Sequence, residues 1–157
     1  MLTNSFLRRV LGQLVSFPDP ENQILEGNGY DGIQDILNGS RSIEWPCVIL
    51  ESGGSGTLQV VEGPVDTYTQ SLWVMDRLGR TESEADIYRK TKELSRLVAA
   101  LLLEEGMYKH SPEAADIQWQ QVSYMQRYGG PDARGYELIF TFKENISLRA
   151  QPADLNR

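Results

Sequence analysis

Apolar residues recur at helical intervals along residues 81–106. In TESEADIYRKTKELSRLVAALLLEEG, Ile87, Thr91, Leu94, Val98 and Leu101 fall at i, i+4, i+7, i+11 and i+14, which is one face of a helix with 3.6 residues per turn. Leu97 and Leu102 widen the stripe, while Arg89, Lys90, Lys92, Glu93 and Arg96 fall mostly elsewhere, as a solvated face should. Thr81 followed by Glu84 has the spacing of a capping box, in which hydroxyl and carboxylate each satisfy a backbone N–H left open at the helix start. Glu82, Glu84 and Asp86 set negative charge at the positive end of the helix dipole. Gly106 offers a left-handed stop. A helix of this span is about 36 Å long at 1.5 Å per residue, the longest element the pattern predicts.

An earlier helix is predicted over residues 3–17, where Thr3 or Asn4 can cap and Phe6, Leu7, Val10, Leu11 and Leu14 form the apolar stripe. Pro18 and Pro20 end it. Residues 18–32 carry Pro, Asn, Asp and Gly without period and read as a surface loop; Ile33 to Leu37 suit a helical turn stopped near Gly39. Trp45 to Glu51 is a short apolar run after which Ser52 to Gly56 (SGGSG) reads as a hairpin tip, with Thr57 to Val61 returning as a second strand. Thr67 to Asp76 is apolar on both faces at its centre and belongs inside a sheet under the long helix. Beyond the Met107–Ala115 connector, Ile117 and Trp119, then Val122 and Tyr124, alternate with a slip near Gln120 that suits a β-bulge. Gly129-Gly130-Pro131-Asp132 is strong turn chemistry, and Tyr136, Leu138, Phe140 and Phe142 alternate in the strand after it.

The predicted order is therefore α, β, β, β, α, β, β. It describes an α+β fold, a mostly antiparallel sheet packed on one face by the long helix and the N-terminal helix. The 157 residues suit a single domain over 1–148, with 149–157 as a flexible tail.

Composition narrows the partners. The net charge is −7 with a pI near 4.7, which argues against wrapping phosphate backbones but suits a channel through which nucleic acid passes without sticking. One cysteine, Cys47, excludes an intrachain disulfide and fits a reducing compartment. Arg8 and Arg9 interrupt the N-terminal apolar segment, so no secretory signal is expected, and the longest apolar run, Leu97 to Leu103, is far too short to cross a bilayer.

No residue pattern announces a reaction. His110 is the only histidine and cannot supply a metal pair. Cys47 lies in an apolar strand with no positive cluster to make a thiolate. Gly53-Gly54-Ser55-Gly56 lacks the Gly-Lys-Ser/Thr ending of a phosphate loop, and Thr57 stands where a nucleophile elbow needs glycine. Helix-end electrostatics accounts for Glu82, Glu84 and Asp86; Glu104 and Glu105 form a second carboxylate pair, and the sequence reveals no glycosidase or metal geometry around either cluster. Trp45, Trp73 and Trp119 stand at strand positions that suit packing better than base or sugar stacking, and Tyr124, Arg127 and Tyr128 are the candidates for an exposed patch. No catalytic, metal or cofactor residue is assigned, and the expected role is assembly or binding, not catalysis.

Element by element, the chain resembles the tail-terminator, or tail-completion, proteins of tailed bacteriophages and prophages. The resemblance rests on the proline-led strand WPCVILE, the strand TQSLWVMD leading directly into the long capped helix, and the closing pair IQWQQVSYMQRY and GYELIFTFK, and covers about residues 3–148. In that family a strand ending in valine–apolar–aspartate or valine–tryptophan runs at once into the long helix, and a Gly-rich turn commonly precedes an aromatic last strand.

What the resemblance implies is a virion structural protein, assembled in the bacterial cytoplasm. It would form a homo-hexameric ring at the neck that caps the tail tube, meets the head connector and lets DNA pass through its lumen, with no membrane partner. Its candidate contact elements are the N-terminal helix at Phe6 and Leu7, the tip at Ser52, Gly53, Gly54, Ser55 and Gly56, and the turn at Gly130, Pro131, Asp132 and Arg134. The rival expectation is a small regulatory α+β domain that binds a ligand or protein partner in a cleft between sheet and helix.

Overall fold

In chain order the elements are α1 (Asn4–Leu11), α2 (Pro20–Gln23), β1 (Ile24–Asn28), α3 (Gly29–Asp35), β2 (Cys47–Ser52), β3 (Ser55–Gln59), β4 (Val65–Arg77), α4 (Glu84–Leu103), β5 (Ile117–Gly129) and β6 (Ala133–Asn145). The computed structural model describes residues 3–52, 54–60, 64–108 and 117–145. His110, Gly53 and the 149–157 tail lie outside the described residues.

The fold is α+β, built on one six-stranded sheet of order β1-β2-β4-β6-β5 in which β3 also pairs with β4. Strand β4 runs antiparallel to β6 over its whole length, from Val65 opposite Asn145 to Arg77 opposite Ala133. The β5–β6 hairpin is the predicted one, and its register shifts between Trp119 and Gln121, where the alternation of apolar residues slips. The extra residue lets both Trp119 and Val122 pack against the cluster of Phe140, Phe142 and Val98.

Helices α1 and α4 cover one face, where Phe6, Leu7, Val10 and Leu11 meet Val48, Leu72, Val98 and Leu138. The expected stripe on α4 is rotated by part of a turn. Ile87, Thr91, Ser95, Val98 and Leu102 are buried, whereas Leu97 is 47% exposed. The capping box is also two residues later than expected. Ser83 Oγ accepts from the Asp86 N–H at 3.2 Å, and Asp86 accepts from the Ser83 N–H at 3.3 Å. Gly106 is not a left-handed stop: the helix widens into a π-turn over Glu104–Tyr108, and a Cβ on Gly106 would come within 2.5 Å of the Trp119 ring. The residue is small because an indole packs on it. Helix α1 stops at Gly12, before the prolines, and its cap is Thr3, whose hydroxyl accepts from the Phe6 N–H at 3.1 Å.

Two expectations fail in instructive ways. The 18–32 stretch is not all surface loop, because Ile24 and Leu25 are buried in β1, which pairs parallel to β2. Buried Gln23 fixes its entry by donating to Ser16 O at 3.1 Å and Pro46 O at 3.0 Å while accepting from the Asp19 N–H. The crossover from β1 to β2 carries α3 and a turn ending at Gly39 (φ 96°). It places Ile33, Ile36 and Leu37 against Ile49, Trp73 and Met75 on the second sheet face.

The other failure concerns SGGSG, which is not a tip. Both β2 and β3 run antiparallel to β4 in the same direction, Leu50 facing Leu72 and Ser55 facing Thr69. Between Leu50 and Ser55 the partner on β4 moves only from Leu72 to Thr69, a step in register, and the chain reverses only after Gln59. Gly54 stands at the step, where a Cβ would collide with the Thr69 carbonyl.

Candidate assembly surfaces

Beyond the step, β3 and the start of β4 form an arm. All five residues of β3 are exposed, and among the described residues β3 has one strand neighbour, β4. Leu58 is 47% and Val60 64% exposed. Register puts Leu58 beside Asp66, and Asp66 beside Glu144, on one side of the arm. Two carboxylates directly opposite one another repel, and the arm is negative there: burial first, then Glu144 and Asp66, push the Tyr68 phenol up from its ordinary value. Ser55 and Thr69 hydroxyls meet at 3.2 Å and tie the arm's base.

At the opposite edge of the sheet, α4 and β5 enclose an apolar groove of about 260 Å³, with Ala99, Leu103, Val122 and Leu138 in its lining. Lys92 and Arg96 also line it, and the Lys92 ammonium lies 5.3 Å from the Tyr124 ring centre. The Ser95 hydroxyl, facing the same groove, is buried without a hydrogen-bond partner. Strand β5 is the edge, with thirteen residues and, among the described residues, only β6 beside it.

The sheet face opposite α4 is polar where α3 does not reach. Thr67, Thr69 and Ser71 stand beside Lys143, Thr141 and Ile139 by register. At its inner end Glu137 is held by Arg127, with Oε2 2.6 Å from Nη2. Glu51 lines the same hollow as Ser55, Thr69, Ser71 and Glu137. Its carboxyl is raised above the usual range by burial and by the Glu137 charge, against the lowering influence of Trp73 and Arg127.

The residues expected to make contacts are scattered. Phe6 and Leu7 are 1% and 3% exposed, so the monomer's own core takes up both, and they offer no surface. Ser52, Gly54, Ser55 and Gly56 are at the arm's base, not its end. Gly130 (φ 57°) packs on Leu37 O, Asp132 pairs with Arg77 at 2.8 Å, and Arg134 pairs with Glu84 at 2.9 Å. Pro131 alone of that turn is exposed. Of the tyrosine patch, Tyr124 and Tyr128 are exposed, but on the face opposite Arg127: Tyr124 faces Tyr136 at 5.8 Å, while Arg127 stacks over Trp73. Leu58, Val60 and the α4–β5 groove were missed. An exposed apolar pair on an edge strand looks in sequence like any strand, and a groove needs two distant segments brought together.

Cys47 is fully buried, and burial followed by the Asp76 charge pushes its thiol far up, the opposite of an activated nucleophile. Among the described residues no cluster of three or more metal-ligating side chains occurs, and no helix is long and apolar enough to cross a membrane. No protein-family model matches the chain, and no curated protein matches it.

Proposed function

We propose that the chain is a structural subunit of a ring at the head–tail neck of a tailed bacteriophage or prophage, where it terminates or completes the tail and joins it to the head connector. The observation that carries this reading is the pair of unlike free edges, the β3 arm on one side of the sheet and the long β5 edge with its groove on the other. Unlike surfaces on opposite sides of a subunit join head to tail, and head-to-tail contacts close into rings when the rotation divides the circle. The resemblance of its element pattern to tail-completion proteins supports the neck as the place of the ring. The net charge of −7 suits a lumen that repels DNA enough for it to slide. The work of such a protein is surface complementarity, not catalysis.

The mass of the purified protein in solution, with negative-stain images of the same sample, tests the reading. Six copies of the 17.7 kDa chain make a particle of about 106 kDa with a central hole. A particle that stays at 17.7 kDa, alone and with tail-tube and connector proteins, overturns it. The regulatory-domain reading, favoured by the apolar lining of the α4–β5 groove, then stands first.

A further inference from the structure

The β3 arm and the α4–β5 groove are complementary and cannot meet within one chain. They lie at opposite edges of the sheet, separated by β4 and β6. The arm offers Leu58 and Val60 with Asp66 beside them. The groove offers an apolar lining with Lys92 and Arg96; Arg96 has no acidic partner among the described residues. Within it the Ser95 hydroxyl lacks a partner, and a buried hydroxyl left unpaired costs free energy that an incoming backbone or side chain relieves. An exposed edge strand also carries unsatisfied backbone groups that favour a neighbour.

We infer that the β3 arm of one protomer seats in the α4–β5 groove of a second copy, with Leu58 and Val60 over Ala99, Ala100 and Leu103 and Asp66 facing Arg96. The inference rests on the ring reading and supplies its contact. It makes the interface heterologous, each protomer giving an arm and receiving one.

The test mixes full-length protomers carrying Leu58→Cys with protomers carrying Ala100→Cys under mild oxidation. Both positions are exposed, and native Cys47 is buried. The expected result is a covalent dimer in the mixture and little in either variant alone. In parallel, Leu58→Glu and Arg96→Glu each weaken assembly by about tenfold, as loss of a contact at an interface centre does, and Asp66→Lys combined with Arg96→Glu regains part of the loss. The cysteine pair reads the contact even if a charge variant fails to fold. Rings that form normally in Leu58→Glu, with no 58–100 link, overturn the arm-in-groove contact and leave the ring reading standing. A wild-type chain that never assembles overturns both.

Discussion

Arg127 on β5 grips Glu137 on β6 through both Nη2 and Nε, the latter at 2.8 Å, while its guanidinium lies 5.2 Å from the Trp73 ring centre. The Glu137 side chain is only 8% exposed. Removing the cation leaves a buried carboxylate without its partner, which is far costlier than removing both charges together. Arg127→Met is expected to destabilise the fold by about 3 kcal/mol in urea unfolding, and the double variant Arg127→Met with Glu137→Leu to recover most of it. Equal losses in single and double variants would show that packing on Trp73, not the charge, carries the effect.

Glu51 feels the same cluster with the opposite sign. Its folded-state carboxyl titrates above the ordinary value because burial and Glu137 oppose its charge. The folded state therefore holds this proton longer than the unfolded state does, and stability falls as pH rises from the unfolded value, near 4.3, through the raised folded value. Glu51→Gln should raise the melting temperature at pH 7 and have no such effect at pH 3. A variant less stable than wild type at pH 7 would contradict the assignment.

The start of α4 separates two capping schemes. Ser83→Ala removes the hydroxyl that accepts from Asp86 N–H and is expected to cost about 1 kcal/mol; Thr81→Ala should cost almost nothing. Hydrogen bonds from Ser83, first its hydroxyl and then its backbone, hold the Asp86 carboxyl below its ordinary value. The cap is therefore strongest above pH about 4 and is lost as pH falls through the lowered folded value. Chemical denaturation of the two variants at pH 7 and pH 3 measures both effects.

On the body of α4, adjacent residues should behave oppositely. Val98 is fully buried and Leu97 half exposed. Val98→Ala is expected to cost about 2 kcal/mol, and Leu97→Ala to stay within about 0.5 kcal/mol of wild type. A large loss at Leu97 under conditions where the chain is monomeric would mean that the helix is rotated from the orientation described.

Gly106→Ala tests the close approach of Trp119. The added methyl must push the indole from its place against Phe140 and Phe142, where ring centres are 5.8 and 4.7 Å apart. Overpacking of this kind costs about 1–3 kcal/mol. If glycine served as a helix stop, the indole would be undisturbed, so the tryptophan emission spectrum of the variant distinguishes the two roles.

The sequence displays the closing hairpin and its bulge because one face of each strand carries an apolar residue at every second position, and one slip at Gln120 marks one extra residue. Strand β1 is hidden for the opposite reason. Ile24 packs into the α4-side cluster and its neighbour Leu25 into the α3-side cluster, so two apolar residues in a row look like noise among Pro, Asn and Gly. The register step between Leu50 and Ser55 is not legible in the sequence because a hairpin tip and such a step draw on the same residues. Glycine supplies positive φ at one and close backbone approach at the other, and only the Thr69 carbonyl on β4 decides between them. The rotation of α4 depends on Ser95, a polar residue that the helix turns inward and that no hydrophobicity pattern marks. The arm and groove were out of reach for a further reason: each becomes a surface only by what the rest of the sheet leaves uncovered.

The strand order carries a consequence for synthesis. Strand β6 is next to last in the spatial order but last in the chain among the described strands, and it is the neighbour on which β4 relies from Val65 to Arg77. Until residue 145 has left the ribosome, thirteen residues of β4 present a bare inner edge rich in Leu72, Trp73, Val74 and Met75. Nascent chains halted between α4 and β6 should therefore be the species that chaperones bind and that stick to one another, and release of the last hairpin should be the step that ends that exposure.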